Sequence, residues 1–319
     1  MTAGHKLGIG VVGAGRWAGL AHLPGWARDE RCRIVGICDR EPERAAAAAD
    51  QYGAAVVTGD YRVLLDREDI DVIDVVTRDS EHYPVNLAAV EAGKHVLSEK
   101  PVARHHHDVR RIAELARAKG LKTKVGFTFR YSPAVRYLKD MLTRGELGTP
   151  YIYNAYEQNS QWLSPRSPLR SQERVNSGRI QVASLEGYGA PVIDIGHWFM
   201  ESDLTAVVGV LRNFVPERLI AATGAMARTN IDDGDIFIGV EVPARYYPPG
   251  GSPRESWRTL YYANLTANFA SEVLGEIDGN EGNFDDGLRV QEVINAVEIS
   301  HHERRWVSLP LDGEGGAAR

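Results

Sequence analysis

The chain has 319 residues, of which 43% are hydrophobic and 25% are charged, and this composition is typical of globular enzymes. At roughly 100–200 residues per domain, the length predicts two domains. Thirty-seven Lys and Arg residues against 43 Asp and Glu residues give a net charge of −6, which argues against binding of nucleic acid or of an anionic membrane surface. The apolar runs are all far shorter than the ~20 residues that a membrane span needs.

The cysteines and the first residues indicate where the protein resides. Cys32 and Cys38 lie six residues apart in one predicted strand, so they share a face and are too far apart for a disulfide. The first residues of the sequence lack the apolar core of a secretory signal. Together these features predict a reducing, cytoplasmic location.

Strands and helices alternate in the first part of the chain. Six short apolar runs predict strands at Lys6–Val12, Arg33–Cys38, Ala55–Val57, Val72–Val76, His95–Leu97 and Lys122–Phe127. Helical patterns accompany them at Arg16–Arg28, Glu41–Tyr52, Tyr61–Asp66, Glu81–Ala92 and Val109–Lys119. This alternation predicts an α/β domain with a doubly wound parallel sheet, a Rossmann fold, over residues 1–126.

The pattern changes after this point, and residues 127–319 are predicted to form an α+β domain. Helices are expected at Pro133–Arg144, Val192–Met200, Trp257–Gly275 and Phe284–His302. Strands are expected at Tyr151–Gln158, Ala206–Asn213, Asp235–Val242 and Trp306–Leu309. No linker rich in Pro, Gly or Ser separates the two parts, so the domains are expected to pack tightly.

A glycine-rich loop follows the first predicted strand and begins the first helix. Gly13 permits a tight turn, and Gly15 allows the backbone to approach a pyrophosphate. The N–H groups of the helix N-terminus can bind the phosphates. Asp39 ends the second strand, 24 residues after Gly15, where its carboxylate can accept hydrogen bonds from the ribose hydroxyls. This order of features favours dinucleotide binding over the alternative, a Rossmann-like shell without a ligand.

The choice between NAD and NADP depends on two neighbouring residues. Asp39 would repel a 2′-phosphate, which favours NAD. Arg40 could bind that phosphate, so NADP stays open as a cofactor.

Two further motifs point to a family. Thr77-Arg-Asp79-Ser-Glu-His82 follows the fourth strand, and Glu99-Lys100-Pro101 follows the fifth. With the glycine loop and the segment Gly126–Pro133, these motifs resemble the Gfo/Idh/MocA oxidoreductases, the group of glucose–fructose oxidoreductase and inositol dehydrogenase. The resemblance covers residues 6–200 well and the last 60 residues less closely.

The resemblance implies a Rossmann domain followed by a domain with an open, mostly antiparallel sheet. It also implies NAD(P)-dependent hydride transfer at a secondary hydroxyl of a sugar, pyranoside or cyclitol. Lys100 matches the active-site lysine of the family, and Glu99 is expected to hold that lysine and the cofactor ribose. The expected cofactor-binding residues are Gly13, Gly15, Arg16, Trp17, Asp39, Arg40, Thr77, Asp79, His82, Glu99 and Lys100.

The family also places an Asp and a His on a helix that faces the nicotinamide. Here His197 follows Asp194 by three residues, one fewer than is usual in the family, but the two positions still share a helix face. His197 is expected to act as general base, Lys100 to stabilise the alkoxide, and Asp194 to orient the sugar. Two alternatives stay open: Lys100 takes the proton, or His197 is only a packed residue bonded to Asp194.

The remaining site predictions concern substrate and metal. Arg130, Trp162 and Arg166 are candidates for contacts with sugar hydroxyls. A metal site is not expected. The adjacent histidines at 105–107 point in different directions, and the acidic turn at 232–235 lacks the distal Glu of a calcium loop.

The second domain is expected to be shortened near Val240. In the family several more strands follow the strand that corresponds to Asp235–Gly239, whereas here the chain proceeds almost directly to the helix at Trp257. Because the oligomer interface of the family is usually built on that sheet, the homo-oligomer expected from the resemblance is in doubt here. Two other functions stay open on the same scaffold: an NAD-dependent glycosidase and a non-catalytic, nucleotide-sensing regulator.

Overall fold

A computed structural model of the chain describes residues 6–157, 185–211 and 242–311. Its main feature is a six-stranded parallel sheet with the order β3-β2-β1-β4-β5-β6. The strands are β1 Leu7–Val12, β2 Cys32–Cys38, β3 Val56–Thr58, β4 Val72–Val75, β5 His95–Ser98 and β6 Thr123–Val125. This is the strand order of the dinucleotide-binding Rossmann fold, and it confirms the predicted fold class.

Helices cover both faces of this sheet because the strands are apolar on both sides. They are α1 Leu23–Arg28, α2 Pro42–Tyr52, α3 Arg62–Leu65, α4 Asp79–Glu91 and α5 His106–Ala118. A π-helical turn, Ala18–His22, precedes α1, so the first predicted helix is built from two different helical forms. A 3₁₀ turn, Thr128–Tyr131, follows β6 and leads into α6, Pro133–Thr143.

The second part of the chain supplies three more helices and a small antiparallel sheet. The helices are α7 Ala190–Met200, α8 Trp257–Leu274 and α9 Phe284–Glu303, and a π-helical turn, Leu185–Gly189, leads into α7. The strands β7 Ala206–Val207 and β8 Val307–Ser308 pair antiparallel. A capping box at Asn283 begins α9, in which the Asn283 side chain accepts from the backbone of Asp286 and the Asp286 carboxylate accepts in return.

The two longest helices complete the hydrophobic core of the Rossmann sheet. Phe269 of α8 is buried in the cluster that contains β1, β2 and the first helices. Phe284 and Ile294 of α9 are buried in the cluster on the other side, with residues of α4 and α5. The two parts of the chain therefore share their apolar cores.

Several predictions for the second part need correction. Tyr151–Gln158 was expected to be a strand, but residues 151–157 lack regular structure, and the side chains of Tyr151 and Tyr156 are both 86% exposed. Alternating apolar residues form a strand only where a partner strand takes up their backbone hydrogen bonds, and the described residues offer none here. The strand predicted at Ala206–Asn213 is limited to Ala206–Val207 where it can be followed, and residues 235–241 of the strand predicted at Asp235–Val242 lie outside the described residues.

Cys32 and Cys38 are both free thiols, and both are buried. Within the described residues, every helix falls short of the length and apolar character that crossing a lipid bilayer would need.

Candidate functional site

The glycine loop has the geometry of a phosphate-binding turn. Gly13 has φ +104°, and a Cβ there would stand 2.6 Å from the carbonyl oxygen of Val76, so only glycine fits. A Cβ on Gly15 would meet nothing within 4 Å, which leaves room for a ligand against the backbone. The side chain of Arg16 is exposed beside it. The loop therefore fits a dinucleotide pyrophosphate.

Asp39 lies beside this loop, at the carboxyl end of β2. One carboxylate oxygen accepts from the backbone N–H of Ala14 at 2.8 Å, and the other accepts from that of Glu41 at 2.8 Å. These bonds hold the carboxylate next to the glycine turn, and the side chain of Arg40 is exposed at the same edge. The position is the one expected of a ribose-binding acid.

The loops after β4 and β5 are joined by His82. Its buried ring lies with Nδ1 2.7 Å from the carbonyl oxygen of Pro101 and Nε2 3.1 Å from that of Thr77. Asp79 begins α4 and forms an ion pair with Arg104 at 3.3 Å. Both predicted cofactor residues, His82 and Asp79, thus make protein contacts that shape the loops rather than pointing freely to solvent.

Glu99 is held by protein donors. Its Oε1 accepts from Trp17 Nε1 at 3.0 Å and from the Tyr262 hydroxyl, and it lies 3.2 Å from His22 Nε2. Burial raises the pKa of Glu99, but hydrogen bonding to His22 and the nearby charges of His22 and Lys100 outweigh it and lower the pKa. The carboxylate was expected to hold the lysine and the ribose. It contacts Lys100 through the backbone N–H, 3.3 Å from Oε2, and its role towards the ribose stays a prediction.

Lys100 connects the Rossmann edge with the second part of the chain. It follows β5, and its Nζ donates to the carbonyl oxygen of Gly187 at 2.7 Å. Gly187 lies in the π-helical turn that leads directly into α7. The lysine therefore lies at the junction of the cofactor edge and the helix that carries Asp194 and His197.

Asp194 and Arg130 form a buried ion pair. The guanidinium Nε and Nη2 of Arg130 donate to the two carboxylate oxygens of Asp194 at 2.6 and 2.7 Å. Asp286 lies 3.3 Å from the same guanidinium, and the Trp198 ring lies 5.3 Å from it. Burial raises the pKa of Asp194 to about 6 against the attraction of Arg130, so the carboxylate is ionised at neutral pH.

This pair changes the expectation for both residues. The Arg130 side chain is 3% exposed and that of Asp194 is 1% exposed, so neither is free to meet a sugar hydroxyl in this arrangement. A charge in the core is costly unless an opposite charge pairs with it, so a sugar that took either partner would leave the other uncompensated. The geometry assigns them to anchoring α7 against the 3₁₀ turn after β6.

His197 lies one turn further along α7. Its Nδ1 is 3.2 Å from the carbonyl oxygen of Ser202, and a carbonyl can only accept, so Nδ1 carries a proton. Nε2 is buried without a hydrogen-bond partner among the described residues. Burial lowers the pKa of His197. The ring is therefore neutral, with a free lone pair on Nε2.

Two substrate candidates, Trp162 and Arg166, lie outside the described residues. Within the described part of the chain, no group of His, Cys, Asp and Glu side chains is arranged to hold a metal ion.

Three residues of the site were not predicted from the sequence. Asp74 is a charged residue inside the apolar strand β4, which was a usable signal, whereas His22 lies in the first helical pattern without a motif of its own. Tyr262 had no sequence signal, because it contacts Glu99 from α8, 163 positions away.

The sequence of this chain is similar to those of several known proteins. A sequence profile described as an oxidoreductase family with an NAD-binding Rossmann fold, GFO_IDH_MocA, matches residues 7–127. Levoglucosan dehydrogenase of Pseudarthrobacter phenanthrenivorans is 31% identical over 245 residues, 72% of this chain and 60% of that enzyme. D-glucoside 3-dehydrogenase of Escherichia coli is 30% identical over 190 residues, 60% of this chain and 51% of that enzyme. The matches thus span only about half to three-fifths of the length of these relatives.

Solved structures show the same fold. A structure of levoglucosan dehydrogenase in complex with NADH and levoglucosan aligns with 96% of this chain and 100% of its own, with a TM-score of 0.77 and 22% identity. The same family is indicated by the motifs after β1, β4 and β5, by the six-stranded sheet and by the related sequences. The chain belongs to the Gfo/Idh/MocA family of oxidoreductases, which has an NAD-binding Rossmann fold.

Proposed function

We propose that this protein is an NAD-dependent dehydrogenase that acts on a secondary hydroxyl of a sugar, pyranoside or cyclitol. One observation carries the proposal: Lys100, at the carboxyl edge of the Rossmann sheet, contacts the turn that leads into the helix bearing His197. Open α/β sheets bind ligands at this edge. The names of the two related enzymes support a sugar ring, and one of them specifies position 3 of a glucoside.

The chain's own residues fit the cofactor. The glycine turn at Gly13 and Gly15 and the carboxylate of Asp39 would hold the pyrophosphate and the adenosine ribose. When bound, the nicotinamide accepts or donates the hydride.

His197 and Lys100 supply the groups that a secondary alcohol needs. The lone pair of His197 Nε2 accepts the hydroxyl proton, since the Nδ1–H is already bonded to Ser202. The ammonium of Lys100 stabilises negative charge on the substrate oxygen. Asp194 acts through its ion pair with Arg130 by fixing α7, and is therefore a positioning residue in this proposal.

Steady-state and single-turnover kinetics of His197→Ala and Lys100→Ala test these roles. We expect each substitution to lower kcat by about a hundredfold or more, as loss of a general base or a charge stabiliser does. His302→Ala and Lys119→Ala are matched controls on exposed side chains of α9 and the end of α5. Hydride transfer near the wild-type rate in both site variants would contradict the assignment.

The substrate is found with a panel of pyranosides and cyclitols, including glucosides blocked at position 3, read by NADH absorbance. Activity on the free glucoside but not on the blocked one would place the reacting hydroxyl. A parallel assay with nitrophenyl glycosides detects cleavage without net NADH, the result that an NAD-dependent glycosidase would give. NADH binding without turnover of any panel member would point instead to a sensing role.

A further inference from the structure

A buried histidine lies between two carboxylates beneath the candidate site. His22 ends the π-helical turn Ala18–His22, and its side chain is 0% exposed. Its Nδ1 lies 2.9 Å from both carboxylate oxygens of Asp74 in β4. Its Nε2 lies 3.2 Å from Oε1 of Glu99, just after β5.

This geometry requires a charged ring. A carboxylate only accepts hydrogen bonds, so an imidazole that faces one on each side can bond to both only when both nitrogens carry protons. Asp74 is itself held by the indole N–H of Trp26 at 2.7 Å. Burial opposes the charged ring, but the two carboxylates raise the pKa of His22 to about 9.

Three further residues bond to the carboxylate that His22 holds. Trp17 of the glycine loop and Tyr262 of α8 both donate to Glu99 Oε1, and the Tyr262 ring lies 4.3 Å from the His22 ring. The backbone N–H of Lys100 reaches Glu99 Oε2. The carboxylate thus joins the cofactor loop, the lysine loop and the second part of the chain.

We infer that His22 is a positioning residue for cofactor binding: its doubly bonded imidazolium fixes the Glu99 carboxylate, which in turn sets the places of Trp17 and Lys100. The inference rests on the proposed function, since Trp17 and Lys100 matter through the cofactor that they would face. His22 does not meet the reacting atoms and passes no proton to them.

The inference makes the cofactor affinity dependent on pH. When His22 loses a proton, it can donate to only one carboxylate, and Asp74 holds the shorter contacts. Glu99 then loses a charge-assisted bond and faces the lone pair of Nε2. The titratable groups around the ring are Asp74, Glu99 and Tyr262, and Lys100 contacts Glu99. Of His22 and these groups, only His22 and Lys100 would lose positive charge as pH rises.

Fluorescence titration with NADH alone, at several pH values from about 7 to 10, tests this on the full chain. We expect the dissociation constant to rise about tenfold over this range, as the loss of one charge-assisted hydrogen bond predicts. His22→Gln should bind NADH about tenfold more weakly at neutral pH, and its affinity should fall no further as the pH rises. Lys100→Ala should still lose NADH affinity as the pH rises, which distinguishes the titration of His22 from that of Lys100.

His95→Gln is the matched control, because His95 lies at the opposite end of β5, where its ring accepts from the backbone of Lys122. It should keep wild-type affinity and the wild-type pH profile. The inference would be overturned if the affinity for NADH still fell at high pH in His22→Gln, or if it no longer fell in Lys100→Ala.

Two measurements do not depend on the folding of His22→Gln. In the wild-type chain, ¹⁵N NMR of the ten histidine rings should show one that keeps both protons at about pH 8 and titrates together with the NADH affinity. Tyr262→Phe should weaken NADH binding several-fold, and its affinity should still fall as the pH rises. A lowered Tm with unchanged affinity would show that the cluster is only structural.

A wild-type chain that binds no NADH at neutral pH would contradict the proposed function itself, whereas NADH affinity independent of pH contradicts only the role of His22.

Discussion

Asp39 is the residue on which the choice of dinucleotide depends. Its carboxylate is fixed at the end of β2 by two backbone N–H groups, so it cannot turn away from a ligand bound at the glycine loop without losing both bonds. A 2′-phosphate placed beside it would meet unfavourable Coulomb energy.

We therefore expect NAD to bind more tightly than NADP, and Asp39→Ala to shift the preference towards NADP. Arg40 is exposed next to the site and would supply the positive charge for the phosphate. Parallel titrations with NADH and NADPH measure both affinities. Asp60→Ala, at an exposed acid after β3, is the control for a general change in charge. Tighter binding of NADPH by the unchanged protein would show that Asp39 does not lie at the ribose.

At the scale of single residues, the motifs were predictable from the sequence but the partners of their side chains were not. Gly13, Asp39 and Lys100 were predictable because a turn, a strand end and a family motif each leave a local signal. The ion pair of Arg130 with Asp194 and the bond of Tyr262 to Glu99 join positions 64 and 163 apart. Such contacts depend on how helices pack, and no local pattern contains that information.

At the scale of elements, the Rossmann strands were predicted to within a few residues, because runs such as Leu7–Val12 are apolar on both faces. The π-helical turn Ala18–His22 was not predicted, because a π-helix differs from an α-helix in the spacing of its backbone hydrogen bonds and not in its amino-acid composition. The segment 151–157 shows the reverse error, where alternation predicts a strand but no partner follows. Sequence therefore predicts elements well where burial alone selects them.

A buried ion pair connects two of these elements, β6 and α8. Lys124 and Glu272 lie 2.8 Å apart, with side chains 0% and 1% exposed. The lysine also donates to Asn268 at 2.8 Å. Burial lowers the pKa of Lys124 to about 8 despite the attraction of Glu272.

This pair predicts a pH-dependent stability. Between about pH 8 and 10.5 the unfolded chain binds a proton at Lys124 that the folded chain has released, so the free energy of unfolding rises with pH in this window. The rise amounts to roughly 3 kcal/mol over the full shift. In the double variant Lys124→Met with Glu272→Gln this contribution is absent.

Urea unfolding of both proteins across this window measures the effect as a difference, which cancels the titration of other groups. The stability of the wild type relative to the double variant should increase from pH 8 upwards. Lys119→Met, at an exposed lysine, should follow the wild type. A difference that is flat with pH would show that Lys124 is not perturbed by its burial.

At the scale of the whole molecule, the described parts are held together by shared cores rather than by a linker. Helices α8 and α9 bury Phe269 and Phe284 in the two apolar clusters of the Rossmann sheet. The candidate site lies where these parts meet, and Glu99 is bonded from both. Binding of a cofactor and the packing of the second part are therefore expected to stabilise each other.

The second part also carries apolar side chains that its described sheet does not cover. Tyr151, Ile152 and Val210 are 86%, 76% and 66% exposed, and β7 pairs only with β8 within the described residues. Levoglucosan dehydrogenase is longer than this chain, because the 245 matched residues are 60% of it. The shortening near Val240 stays a prediction, because residues 212–241 lie outside the described residues.

We predict that the chain is less stable than a version that restores those strands, and that it associates in solution, because uncovered apolar surface and free strand edges recruit other chains. Size-exclusion chromatography with light scattering should show species larger than a monomer that increase with concentration. The double variant Tyr151→Ser with Ile152→Thr should reduce this association, whereas Val57→Thr with Val63→Thr, on exposed valines of the Rossmann domain, should leave it unchanged. Tyr151 and Ile152 are more exposed than Val57 and Val63, so the two effects are compared per unit of apolar area removed. A larger effect per unit area at Tyr151 and Ile152 locates the contact on the second part of the chain. A monomer of high Tm from the unchanged sequence would show instead that the apolar side chains near Tyr151 are covered by the chain's own residues.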